Sequence, residues 1–179
     1  MNAQPPGAAY IAWAQSMPAL RCFGAAIRPW TNASAKSNVA ITKTDRFGDT
    51  ELKQPLGMTT IPAKGSQNYY AAARLPNHGA VIHAGSESEE SSFTAVVANA
   101  AAPPHGLALL TASVSAGAGL GLGSTRSAVE HVLGHATVTT ACGYGAVRYE
   151  PRVPEISEAE IWFIYLDGKV AAIARYEAV

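Results

Sequence analysis

The sequence predicts an α+β protein with a mainly antiparallel sheet and few short helices. Three observations support this fold class. Short strand-like segments recur along most of the chain between clusters of Gly, Pro, Asn and Ser. Residues 116–134 have the glycine-rich start, the polar cap and the closing glycine of one short helix. Near the end of the chain, Asp167-Gly168 joins two strand-like segments, as in a tight β-hairpin.

Residues 1–37 are predicted to form a helical or irregular segment. A helix is expected over residues 8–17, and Pro18 is expected to end it because proline cannot continue a helix. Strand signals are few in this segment, so its large apolar side chains must dock it on the rest of the chain. These side chains are Trp13, Met17 and Phe23.

Residues 38–115 are predicted to form an antiparallel β region. The candidate strands are residues 39–44, 68–75, 80–84, 93–98 and 107–114. The acidic run over residues 86–92 is interpreted as a solvated loop, since neighbouring like charges repel and prefer water.

Residues 116–179 are predicted to form one helix on an antiparallel sheet, a unit that can be continuous with residues 38–115. Ser124 or Thr125 can cap this helix, and Gly134 can close it. Because so short a helix is marginal alone, we expect its apolar side to pack on the sheet. That side consists of Ala128, Val129, Val132 and Leu133.

The strands of this unit are predicted at residues 137–142, 145–150, 160–166 and 169–176. Residues 161–166 are apolar almost without interruption, which indicates a strand covered on both faces. The stretch that follows the hairpin turn is less apolar. It is therefore predicted to lie at the periphery of the sheet.

Composition and charge exclude several classes of protein. Thirteen basic and thirteen acidic residues give zero formal charge, which argues against a nucleic-acid partner bound through phosphates. No apolar run approaches the ~20 residues of a transmembrane segment. The N-terminus of the given chain lacks the basic and apolar regions of a signal peptide.

No catalytic, cofactor-binding or metal-binding residue is assigned. The alternating glycines of residues 117–123 fit neither dinucleotide-binding nor P-loop spacing, so we expect no nucleotide. His131 and His135 have the spacing of a helical metal site, but Gly134 stands between them and ends the predicted helix. The nucleophile motif G-x-S-x-G is absent from the sequence.

Aromatic residues of the last strands are candidates for protein binding, with packing under the helix as the alternative. They are Tyr144, Tyr149, Trp162 and Tyr165. The two cysteines, Cys22 and Cys142, can form a disulfide in an oxidising compartment or remain as two buried thiols. A disulfide would tie the N-terminal segment to the helix-and-sheet unit.

Three consecutive segments resemble the small domains of the SmpA/OmlA lipoproteins and the β-lactamase inhibitor protein-like fold. The segments are GLGLGSTRSAVEHVLGHATV, YGAVRYEP and EIWFIYLDGKVAAIARYEA. The matching residues are Gly123, Thr125, Val129, Leu133, Gly134, Tyr149, Phe163, Gly168 and Val170. The resemblance covers about a third of the chain and implies a helix packed on an antiparallel sheet. The family includes envelope assembly lipoproteins and enzyme inhibitors, but this chain lacks a lipobox cysteine at its start.

The resemblance and the absence of a catalytic motif lead to one main hypothesis of function. It is a non-enzymatic bacterial envelope protein, periplasmic or secreted, that binds another protein through a sheet face. Two alternatives stay open. One is a secreted hydrolase or an enzyme inhibitor in which the histidines or Cys142 converge on a cleft. The other is a carrier that holds a small apolar ligand between the sheet and the helix.

Overall fold

The computed structural model describes residues 6–23, 40–41, 59–61, 68–86, 91–110, 114, 116, 119–151 and 158–178. Its helices are Pro6–Ser16 (α1), Pro18–Cys22 (α2) and Arg126–Leu133 (α3). Its strands are Ala40–Ile41 (β1), Thr59–Ile61 (β2), Asn68–Leu75 (β3), Gly79–Ser86 (β4), Ser91–Val97 (β5), Thr139–Ala141 (β6), Tyr144–Pro151 (β7), Glu158–Leu166 (β8) and Lys169–Ala178 (β9). The predicted class, a mainly antiparallel sheet with few short helices, is confirmed.

The strands join into one sheet in the order β1-β7-β8-β9-β5-β4-β3-β2, with β6 also paired to β7. Among the described strands, every pair is antiparallel except β1 with β7. Strand β9 therefore lies in the middle of the sheet, and its predicted peripheral position is wrong. Its sparse apolar character comes from Ala172 and Ala174, whose small side chains leave room for the helices above them.

Several predicted boundaries changed for identifiable reasons. Helix α1 ends at Ser16, just before Pro18 as predicted, but Pro18 then begins a second helix, where its missing N–H costs no hydrogen bond. The predicted strand at residues 107–114 is reduced to a single parallel bridge between Arg74 and Leu109, and residues 111–113 lie outside the described part. The sequence did not predict the short strand β2.

At the β8–β9 hairpin, Asp167 and Gly168 both have the positive φ angles expected of the turn.

Helix α3 begins as the sequence predicts. The Thr125 hydroxyl oxygen accepts a hydrogen bond from the Ala128 N–H at 3.1 Å, and the helix ends before Gly134, whose φ is +93°. Val129 and Leu133 are buried, whereas Ala128 is exposed, so the apolar stripe is narrower than predicted. Packing of this stripe on the sheet offsets the high nucleation cost of an eight-residue helix.

Two apolar clusters cover the two faces of the sheet. On one face, α3 packs over Val147, Tyr149, Ile161 and Phe163. On the other face, the helices α1 and α2, here called the cover, lie on small side chains of the central strands. The cover contributes Trp13, Met17, Leu20 and Phe23, and the sheet contributes chiefly Ala72, Ala80, Ala95, Ala146, Ile164, Ala172 and Ala174.

A disulfide joins Cys22, at the end of the cover, to Cys142, in the turn between β6 and β7. The two Cα atoms lie 5.9 Å apart, and the bond connects positions 120 residues apart in sequence. Of the two alternatives for the cysteines, the structure therefore contains the bridge. It ties the N-terminal segment to the C-terminal unit, and the described residues contain no free cysteine.

Candidate protein-binding site

The four candidate aromatic residues separate onto the two faces of the sheet. Tyr149 and Tyr165 are buried in the cluster beneath α3, whereas Tyr144 and Trp162 are partly exposed on the face that carries the cover. The Tyr149 hydroxyl donates to the Gly134 carbonyl at 2.8 Å, and burial raises the pKa of this tyrosine to about 12. The first pair therefore packs the core, and only the second pair is available to a partner.

The sequence did not single out Arg148, which lies at the centre of this second face. It stands directly opposite Trp162 in the β7–β8 register, and its guanidinium carbon lies 5.8 Å from the centre of the Trp162 ring. A guanidinium over an aromatic face at this distance makes a cation–π contact. Only 5% of the Arg148 side chain is exposed.

Two carboxylates bind the same nitrogen of this arginine. Arg148 Nη2 donates to Glu150 and lies 3.2 Å from Glu160 Oε1. Arg148 Nε and Nη1 are buried, and neither has a hydrogen-bond partner among the residues that the structure describes. Because a buried unpaired donor costs about 1–3 kcal/mol, this arrangement is not one that stability alone would favour.

The carboxylates differ in exposure and therefore in electrostatics. The Glu150 side chain is 37% exposed and the Glu160 side chain 18%. Burial raises the pKa of Glu160, although Arg148 acts in the opposite direction. Trp162 Nε1 donates to Glu160 Oε2 at 3.3 Å. One partly buried carboxylate thus binds both the arginine and the indole.

These groups lie on one face of the sheet because alternate residues along each strand point to the same side. We call it the acidic–aromatic face. It comprises Tyr144, Arg148, Glu150, Glu158, Glu160 and Trp162. Glu158 is exposed at the start of β8. Three carboxylates therefore accompany one guanidinium on this surface.

A second polar group lies on the opposite face, among buried side chains of β4, β5 and β9. His83 Nδ1 and Thr94 Oγ1 are 2.7 Å apart. Arg175 lies opposite Thr94 in the β5–β9 register and forms an ion pair with Glu177. His83, Thr94 and Arg175 are all buried. Burial lowers the pKa of His83, so the neutral imidazole is favoured in the folded protein.

The buried His83 predicts that stability falls on mild acidification. Below pH ~6.5 the unfolded chain takes up a proton on this histidine, whereas the folded protein resists it until its lower pKa is reached. The free energy of unfolding therefore decreases as pH falls through that window. Urea unfolding at about pH 7.5 and about pH 5.5 measures this slope. The variant His83→Gln should show a smaller slope, and an unchanged slope would contradict the assignment.

Other residues considered for chemistry do not assemble into a site. Backbone N–H groups of the glycine-rich loop are used internally: Gly121 N donates to Ser124 Oγ, and Gly123 N donates to the Val170 carbonyl. His135 Nδ1 lies 3.2 Å from Glu130 Oε1 on the surface near the end of α3. Within the described ranges, no three His, Cys, Asp or Glu residues are grouped to hold a metal ion. Glu87, Glu89 and Glu90 of the acidic run lie outside those ranges.

A local repeat in the sequence could have revealed both arginines. Arg-Tyr-Glu occurs at residues 148–150 in β7 and again at residues 175–177 in β9. In each copy the arginine is buried and pairs with the glutamate two positions later, on the same face of its strand. A charged residue inside an apolar strand is informative because it is rarely buried without a partner.

Comparisons with protein-family models, curated proteins and solved structures found no match to this chain. The resemblance to the SmpA/OmlA lipoproteins and the β-lactamase inhibitor protein-like fold therefore stays a prediction. Among the described helices, none has the length and apolar character needed to cross a bilayer.

Proposed function

We propose that this protein is a non-enzymatic binding protein of the bacterial envelope that recognises another protein through its acidic–aromatic face. The observation that carries the proposal is Trp162, a large aromatic side chain left partly exposed between carboxylates on a central strand. A surface of this composition has the chemistry by which proteins recognise one another.

The residue types support a protein partner. Trp, Tyr and Arg supply most binding hot spots, because they offer large rigid surfaces together with hydrogen-bond donors. Trp162 and Tyr144 are partly exposed here, whereas Arg148, 5% exposed, supports the indole and does not itself face a partner. The cation–π contact and the ion pairs of Arg148 hold the indole in a defined orientation before a partner arrives. Such preorganisation reduces the entropy lost on binding.

Charge indicates which surface the partner presents. Among the described residues of the face, Glu150, Glu158 and Glu160 outnumber the one guanidinium, so its excess charge is negative. Complementary potentials steer association and suppress wrong partners. We therefore expect the partner to present a segment that carries Lys or Arg side chains next to an apolar side chain. The apolar side chain would contact Trp162.

The disulfide supports a location outside the cytoplasm. Stable disulfides form in oxidising compartments and are rare where glutathione and thioredoxin keep thiols reduced. The Cys22–Cys142 bond agrees with a periplasmic or secreted protein. An envelope location would also place the acidic–aromatic face where it can meet other exported proteins.

Titration with a ten-residue oligolysine tests the charge requirement. We expect saturable, salt-sensitive binding that Glu158→Gln weakens by up to about fivefold, since one exposed ion pair contributes up to ~1 kcal/mol. Calorimetry at low ionic strength measures the affinity. Glu158 is exposed, so its replacement should leave folding intact.

Asp167→Asn is the matched control. It also removes one exposed negative charge, but from the turn that follows β8, about 30 Å from Glu158 along the strand. Asparagine also tolerates the positive φ of this position. An equal effect of the two substitutions, or equal binding of an oligoglutamate, would contradict recognition by the carboxylates around Trp162, since Asp167 lies near Tyr144 at the other end of the face.

A further inference from the structure

The disulfide lies where the cover meets the acidic–aromatic face. Cys22 is the last residue of α2 and is partly buried against the apolar cluster beneath the cover. Cys142 is exposed in the β6–β7 turn, two residues before Tyr144. Cys142 is therefore the more exposed of the two residues of the disulfide.

Besides this disulfide, two side-chain hydrogen bonds among the described residues join the cover to the connection that follows β5. The Tyr10 hydroxyl donates to the His105 carbonyl and Trp13 Nε1 donates to the Ala101 carbonyl, both at 2.9 Å. The rest of the contact is apolar packing on small side chains. The described strand pairs of the sheet and the apolar cluster beneath α3 consist of residues outside the cover. It can therefore leave without breaking a strand pair.

A chain of contacts links the disulfide to the binding residues. Phe23 follows Cys22 directly, and its ring centre lies 6.5 Å from that of Trp162. Trp162 in turn lies against Arg148. When Phe23 is docked, part of the indole is covered, and this part becomes accessible if the cover lifts.

We propose that the Cys22–Cys142 disulfide is a redox-sensitive latch that keeps the cover on the sheet, and that its reduction uncovers the acidic–aromatic face. This regulation rests on the proposed function. A thiolate of a dithiol reductant attacks Cys142 Sγ, forming a mixed disulfide and releasing Cys22 as a thiolate. The second thiol of the reductant then displaces Cys142. Two electrons pass to the protein, both cysteines end as thiols after taking up protons, and the reductant leaves as a disulfide.

Amide hydrogen exchange tests the latch without any partner. The oxidised protein is compared with protein treated with dithiothreitol and with the double variant Cys22→Ser/Cys142→Ser. We expect exchange in α1 and α2 to accelerate roughly tenfold or more in both altered forms, while β8 and β9 remain protected. Equal protection of the cover in all forms would overturn the proposal. Loss of protection throughout the sheet would overturn it as well, because the bond would then hold the whole fold.

Oligolysine binding tests the consequence for the site. The reduced protein and the double variant should bind the peptide about fivefold or more tightly than the oxidised protein, because more of the face is accessible. Release of the cover with unchanged affinity would overturn its role as a gate. If no form binds oligolysine, the proposed function fails, while the exchange data still decide whether the bond holds the cover.

Discussion

Reduction of the Cys22–Cys142 disulfide is expected to lower the free energy of unfolding by about 4 to 5 kcal/mol, the loop-entropy value for a closed loop of more than 100 residues. The cause is the larger conformational entropy of the unfolded chain once the loop closed by the bond is opened. Equilibrium unfolding in urea, with and without dithiothreitol, measures the difference.

The double variant Cys22→Ser/Cys142→Ser separates the bond from other effects of the reductant. Its free energy of unfolding should match that of the reduced protein and should not respond to dithiothreitol. A difference below about 1 kcal/mol between oxidised and reduced protein would mean that the bond hardly constrains the unfolded chain. That result would contradict the tether between the N-terminal segment and the C-terminal unit.

Replacement of Leu133 with alanine is expected to destabilise the protein by about 2 to 4 kcal/mol, through lost apolar transfer energy and the cavity left behind. Leu133 is 6% exposed and packs in the cluster between α3 and the sheet. Chemical denaturation of the variant provides the measurement.

Leu109→Ala is the matched control, since it makes the same substitution at a side chain that is 53% exposed. Its effect should stay within about 0.5 kcal/mol. If the two leucine variants were equally stable, α3 would not be held by packing on the sheet.

Local signals predicted the elements that depend on local chemistry. Thr125 at the start of α3 and the Asp167-Gly168 turn are specified by side-chain capping and by positive φ angles, both readable over a few residues. The central position of β9 in the sheet could not be predicted from signals over a few residues. It depends on which surface covers the alanines of that strand, and that surface is the cover, about 150 residues earlier in the chain.

The candidate site was predicted only in part for a similar reason. The sequence identified Tyr144 and Trp162, and alternation along each strand separates them from Tyr149 and Tyr165. Which of the two faces is left partly open depends on where the cover and α3 pack, and no local pattern specifies that. Arg148 gave a readable signal as the first residue of an Arg-Tyr-Glu triplet that recurs at residues 175–177. Its pairing with Glu160 required the β7–β8 alignment, which no local pattern specifies.

The most direct test of the account is photo-crosslinking in the native host with p-benzoylphenylalanine placed at Tyr144 or, as a control, at Leu109. The first position lies on the acidic–aromatic face, and the second is exposed on a connection outside it. We predict a crosslink to one partner protein from Tyr144 only, mapped by mass spectrometry to a partner segment that carries Lys or Arg beside an apolar residue. The same crosslinks from both positions, or crosslinks from Leu109 alone, would contradict recognition through the acidic–aromatic face.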